Sequence, residues 1–86
     1  MVEMEKHLKA IANKRRLAIL KQLKRKPKVS VSEIARMISL SFRATSRHLR
    51  MLATLNILEY EQKGLKIFYS LNAVQRPEIK QVISLL

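Results

Sequence analysis

Residues Ser39–Leu52, SLSFRATSRHLRML, decide the fold. Arg43, Arg47, His48 and Arg50 stand within this stretch, and no acidic residue occurs anywhere between Glu33 and Glu59. A solvated helix surface usually interleaves acids with bases at helical spacing. That interleaving is missing, which leaves the basic side chains for a partner outside the chain. Ser41 is a good helix cap, and Thr45, Leu49, Leu52 and Leu55 recur behind it at helical spacing. The pattern predicts a helix over 42–55 with those four residues packed inward and residues 43, 46, 47 and 50 along the opposite side.

Working upstream, Ser39, Leu40 and Ser41 make a tight connection to a short helix whose apolar stripe is Ile34, Ala35 and Ile38. Ser30 and Glu33 form an S-x-x-E capping box at its start, in which each side chain satisfies a backbone donor of the other. Before it, Asn13 caps a helix running through Leu17, Leu20 and Leu23 to about Lys26, and Pro27 stops it. Met4, Leu8 and Ile11 mark a first helix over 3–12. Downstream, ILEYEQ, KGLK and IFYSL are two β-rich runs around Gly64, the chain's only glycine, and predict a hairpin over 57–71. The segment from Asn72 to Leu86 closes the chain as a helix, with Ile79, Val82, Ile83 and Leu86 at helical spacing and Pro77 early. The expected fold is mainly α with a small β-hairpin: a winged helix-turn-helix with helices at both termini.

At 86 residues the chain predicts one domain over 1–86, and a domain of this size buries only about 60 to 65% of its unfolded surface. Oligomerisation is the expected supplement. Lys and Arg number 18 against 6 acidic residues, all Glu, so the formal charge of +12 points to a polyanion, nucleic acid before membrane. No apolar run approaches the roughly 20 residues of a membrane span. Cysteine is absent, which removes disulfides, thiolate metal sites and a cysteine nucleophile. Aspartate is absent too, as are a glycine-rich phosphate loop and a close carboxylate pair, so an enzyme lacks its usual parts. The N-terminal MVEMEKHLKA has no apolar signal core, and a cytoplasmic location is expected. No cofactor is expected.

The segments IANKRRLAILKQL, VSEIARMISLS, SRHLRML and GLKIFYSL, in this order and spacing, resemble the ArsR-type winged-helix repressors of bacteria and archaea. The resemblance implies a homodimeric repressor that binds double-stranded DNA and dimerises through its terminal helices. Three departures qualify it. Ser30 and Ser32 stand where metal-sensing members carry cysteines, and the last helix offers only Glu78 where others place ligands, so no metal site is expected. Ser39 occupies the turn position commonly held by glycine. Glu59 and Glu61 lie on the first wing strand, often basic in the family, and should weaken wing contacts to phosphate.

These readings assign a contact set of Ser41, Phe42, Arg43, Ser46, Arg47, His48, Arg50, Lys63 and Lys66. Arg43, Ser46 and Arg47 are expected at bases or in the groove, and His48 and Arg50 at phosphate. Phe42 has two open readings, a thymine methyl contact or packing against the preceding helix. Lys63 and Lys66 straddle Gly64 and are expected at the backbone or minor groove. The run Lys21–Lys28 is assigned a general electrostatic role. His7 is expected on an exposed or dimer-flanking surface. Met4, Leu8, Ile11, Ile79, Val82, Ile83 and Leu86 form the expected dimer interface. The functional expectation is a sequence-specific regulator, with a low-specificity nucleoid or plasmid-maintenance protein as the alternative.

Overall fold

The computed structural model describes residues 2–86. Five helices and three strands follow in chain order: α1 (Val2–Ile11), α2 (Lys14–Arg25), β1 (Val29–Ser30), α3 (Val31–Met37), α4 (Phe42–Thr54), β2 (Leu58–Lys63), β3 (Lys66–Leu71) and α5 (Pro77–Ser84). This is the winged helix-turn-helix that the periodicities predict, with one added strand. β1 pairs antiparallel with β3, Val29 opposite Tyr69 and Ser30 opposite Phe68, so the hairpin becomes a sheet of order β1-β3-β2. A two-residue strand has too little length to show a period of two, which hides it in the sequence.

Local chemistry sets the helix ends. Asn13 caps α2, its Oδ1 accepting from the backbone N–H groups of Arg15 and Arg16 at 3.0 and 3.1 Å. Ser30 Oγ accepts from the Glu33 N–H at 3.3 Å. The expected capping box is only half formed, because the Glu33 carboxylate turns instead to Lys26 Nζ at 2.7 Å. Both α3 and α4 end in the same six-residue motif. The Leu40 N–H donates to Ala35 O and Ser39 N–H to Arg36 O after α3, while Ile57 N–H donates to Leu52 O and Asn56 N–H to Ala53 O after α4. The motif needs a left-handed residue at its centre, and Ser39 (φ +55°) and Asn56 (φ +61°) supply it without glycine. At the hairpin, Gly64 (φ +62°) occupies the first central position of a two-residue turn with Lys63 opposite Lys66.

The last helix starts later than its apolar spacing suggests. Asn72–Arg76 is a turn in which Gln75 Nε2 donates to Ile57 O at 2.8 Å and to Asn72 O at 2.9 Å, and α5 begins with Pro77.

Ile19, Leu20, Leu23, Ile34, Leu49, Leu52, Ile57, Leu58 and Ile79 form the core, joined by Ile11, Val29 and Tyr69. Two of the expected dimer residues are thereby reassigned: Ile11 is 4% exposed and Ile79 fully buried within the chain's own core. Helical spacing alone cannot say which side of a stripe meets the chain's own sheet and which is left over. His7 is also corrected. It is buried, with Nδ1 2.7 Å from Glu3 O and Nε2 2.9 Å from Leu55 O, and pins α1 to the end of α4.

Three substitutions have defined stability outcomes. Ser39→Gly relieves a left-handed side-chain conformation and should raise unfolding free energy by about 0.5 to 1 kcal/mol, whereas Ser39→Val should lower it by about 1 kcal/mol or more. Thr45 is fully buried and its Oγ1 has no hydrogen-bond partner among the described residues. Thr45→Val removes an unsatisfied hydroxyl at near-constant shape and should stabilise by about 1 kcal/mol. Urea midpoints at unchanged slope check all three.

Candidate nucleic-acid interface

The surface centres on α4. Ser41 Oγ accepts from the Ala44 N–H at 3.1 Å, which fixes where the helix starts and so which way each later side chain points. Thr45, Leu49 and Leu52 are fully buried. Their burial turns Phe42, Arg43, Arg47 and Arg50 to solvent, with Ser46 half-buried beside them and Leu55 half-buried at the helix end. The side chains of Arg43, Arg47 and Arg50 have no hydrogen bond or ion pair among the described residues.

Three of the six acids are occupied elsewhere. Lys26 holds Glu33 at 2.7 Å, Lys28 holds Glu61 at 2.6 Å with Lys63 at 3.7 Å from the same oxygen, and Arg76 holds Glu78. Those hydrogen bonds keep all three carboxyls below the usual glutamate range. Exposed pairs of this kind contribute little stability. Their consequence is electrostatic: part of the Lys21–Lys28 run and the base of the wing are neutralised, while the α4 stripe stays unopposed.

His48 sits differently from its neighbours. Arg16 Nε donates to its Nδ1 at 3.1 Å, and Arg16 Nη1 donates to Ala10 O at 3.1 Å, so one guanidinium ties α1, α2 and α4 together. Burial, with Arg16, Arg47 and Arg15 close by, holds the His48 pKa below that of a free histidine. A neutral ring accepting at Nδ1 carries its proton on Nε2. Where the sequence places His48 at phosphate, only that uncharged Nε2–H is left to face outward. Arg16 was not singled out from the sequence, although a signal is there: residues 16, 19, 20 and 23 share one helix face, so Arg16 continues the apolar stripe of α2.

The wing completes the surface. Lys63, Leu65 and Lys66 are exposed around Gly64, Leu65 entirely so. Phe42 and Ser46 of α4 line one cleft of about 140 Å³ with Leu65, Lys66 and Ile67 of the wing and Ser30, Val31 and Ser32. Phe42 is 59% exposed and lines this cleft beside Val31 and Ser32 of α3. The fold thus brings the front of α4 and the hairpin tip to a common groove, as a ligand contacting both would require.

Met4, Val82, Ile83 and Leu86 are half-buried and Leu8 is 38% exposed. Leu8, Ile11, Ala12, Leu17 and Val82 line a shallow apolar depression on the α1 and α5 side. Ser30 Oγ and Ser32 Oγ stand 3.4 Å apart, and no group of three or more His, Cys, Asp or Glu side chains placed to hold a metal occurs among the described residues. Among the described residues, no helix is long and apolar enough to cross a membrane.

Comparison with known proteins agrees with this architecture. The reduced HlyU of Vibrio cholerae is 34% identical, with a TM-score of 0.83 over 99% of this chain and 85% of that one. A transcriptional regulator HlyU from Vibrio vulnificus is 32% identical, with a TM-score of 0.79 over 98% of this chain and 83% of that one. The transcriptional repressor PagR of Bacillus anthracis is 26% identical, with a TM-score of 0.78 over 96% and 91% of the two chains. Residues 13–60, from the cap of α2 through α4 into the wing, match the sequence model of the bacterial regulatory protein, arsR family. The chain therefore belongs to the ArsR family of winged helix-turn-helix transcriptional regulators.

Proposed function

We propose that this protein is a homodimeric, sequence-specific binder of double-stranded DNA that acts in the cytoplasm and represses transcription by occluding a promoter. The observation that carries this reading is the unopposed Arg43–Arg47–Arg50 stripe on a capped helix whose front shares a groove with a lysine-bearing hairpin tip. Arg43, Ser46 and Arg47 enter the major groove and meet base edges, because a guanidinium offers guanine two donors at once. Phe42 enters beside them. Arg50, the Nε2–H of His48 and the Ser41 hydroxyl meet phosphates along the flank, and Lys63 and Lys66 grip the backbone beside the adjoining groove. Met4, Leu8, Val82, Ile83 and Leu86 supply the face for a second copy, since a chain this small leaves that apolar surface uncovered. The domain spans residues 1–86, and its role requires no catalysis or cofactor.

Selection of duplexes from a random pool tests the reading. The best site should be an inverted repeat bound about 1,000-fold or more tightly than random DNA; a ratio near one would favour the low-specificity alternative. Arg43→Ala should cost about 1 to 3 kcal/mol at the selected site and relax one base position. Lys63→Ala should weaken selected and random duplexes by a similar factor and shallow the salt slope by about one. Leu8→Glu places a charge in the proposed interface, and sedimentation should show monomers with weakened binding to the two-half-site duplex.

A further inference from the structure

A second cleft, of about 400 Å³, lies between the C-terminal half of α4 and the sheet, lined by Arg50, Ala53, Thr54, Tyr60, Ile67 and Tyr69. Its size falls within the range of small-ligand sites, about 300 to 1,000 Å³. Tyr60 and Tyr69 are direct partners across β2 and β3, their ring centroids 5.7 Å apart. Tyr69 is only 3% exposed, yet its hydroxyl has no hydrogen-bond partner among the described residues; Tyr60 is 63% exposed and its hydroxyl is unpaired too. Burial pushes the Tyr69 phenol upward against the opposing pull of Arg50, so it stays protonated as a donor.

The polar groups of this cleft are thus a guanidinium and two phenols. Thr54 is occupied, its Oγ1 donating to Arg50 O at 2.9 Å. No acid lines the cleft, and Glu59 and Glu61 alternate to the other face of β2 from Tyr60. Donors with a fixed positive charge select an anion, and aromatic and aliphatic walls select an apolar body attached to it. A DNA phosphate makes poor use of the cleft, since it needs no apolar wall and carries no body to lie against Tyr60 and Ile67. Arg50 also stands two helical turns behind Phe42, about 12 Å along the axis from the front of the helix.

We propose that this cleft binds a small carboxylate with a flat apolar body, its carboxylate held by Arg50 and the Tyr69 hydroxyl and its body against Tyr60 and Ile67. An occupied Arg50 is withdrawn from phosphate, so the ligand weakens DNA binding. That consequence rests on the DNA-binding reading above, while ligand binding itself does not.

Benzoate is the probe. The chain's only two tyrosines both line the cleft, so their ring-proton resonances report on it directly. Titration of benzoate into the full chain should shift both rings saturably, with half-saturation at about 1 mM or below for a ligand of this size. Tyr69→Phe keeps the buried ring and should weaken benzoate about tenfold while leaving DNA affinity unchanged. Arg50→Gln should weaken benzoate at least as much. Saturating benzoate should lower DNA affinity of the parent protein several-fold, and the same concentration should have less effect on Tyr69→Phe. Absence of a saturable shift, equal affinity in Tyr69→Phe, or equal affinity for benzyl alcohol would overturn the site. Inorganic phosphate binding as tightly as benzoate would overturn the apolar-body assignment in favour of a bare anion site. If benzoate binds while DNA affinity stays constant, the regulatory consequence is overturned and the cleft stands. Failure of the chain to bind any duplex would overturn the DNA reading, with the benzoate titration unaffected.

Discussion

The inner face of α4 constrains the rest of the structure. Leu49 and Leu52 are fully buried against α2, α3 and the sheet, and truncating side chains in such positions typically costs about 2 to 5 kcal/mol each. A helix so anchored cannot rotate about its axis, since a one-residue slip of about 100° would carry guanidinium groups towards the core. The outward presentation of Arg43, Arg47 and Arg50 is therefore a packing result. The basic stripe exists as a surface because the leucines behind it are not free to move.

Both boundaries around that helix are built from backbone geometry. α3 and α4 each close on a left-handed residue, Ser39 and Asn56, and each places an apolar residue, Leu40 and Ile57, directly after it. The first closure sets the angle at which the chain enters α4, and Ser41 then caps it. The second turns the chain into β2, so that the wing folds back with its tip beside the front of α4. Positive φ at a serine carries a conformational cost that glycine would not, and the surrounding hydrogen bonds hold it.

Charge is distributed unevenly over this frame. With 18 basic and 6 acidic residues, where the acids are placed decides where the field is strong. Glu33 and Glu61 sit against lysines of the α2–β1 connection, and Glu78 against Arg76. None faces the exposed stripe of α4. Arg16 is a cation turned to structural use, joining Ala10 and His48 and drawing the latter out of the set of charged contacts. Net charge alone would treat all of these side chains alike; their hydrogen bonds separate those that bind the fold together from those left for a partner.

Helix and hairpin positions were legible in the sequence because their causes are local. Asn13, Ser30 and Ser41 as caps, Pro27 as a stop and the spacing of Thr45, Leu49 and Leu52 act within one or two turns of where they stand. The composition of the exposed α4 stripe was legible for the same reason, since a period of 3.6 sorts residues onto faces before any tertiary contact forms. What the sequence left open depends on residues far apart in the chain. His7 meets Leu55 across 48 positions and Arg16 meets His48 across 32, and neither local pattern names its partner. Val29 and Ser30 become a strand only because β3 lies beside them. Ile11 and Ile79 share helical stripes with residues that stay partly exposed, and only the assembled core decides which of them it closes over. By itself the sequence determined which segments become helices and hairpin, because caps, stops and apolar spacing act through neighbours along the chain, whereas strand β1 and the late start of α5 rest on the distant partners β3 and Ile57. The tertiary structure alone decided which polar groups are consumed, which apolar residues remain uncovered and where clefts open, because those depend on which distant surfaces come within contact distance.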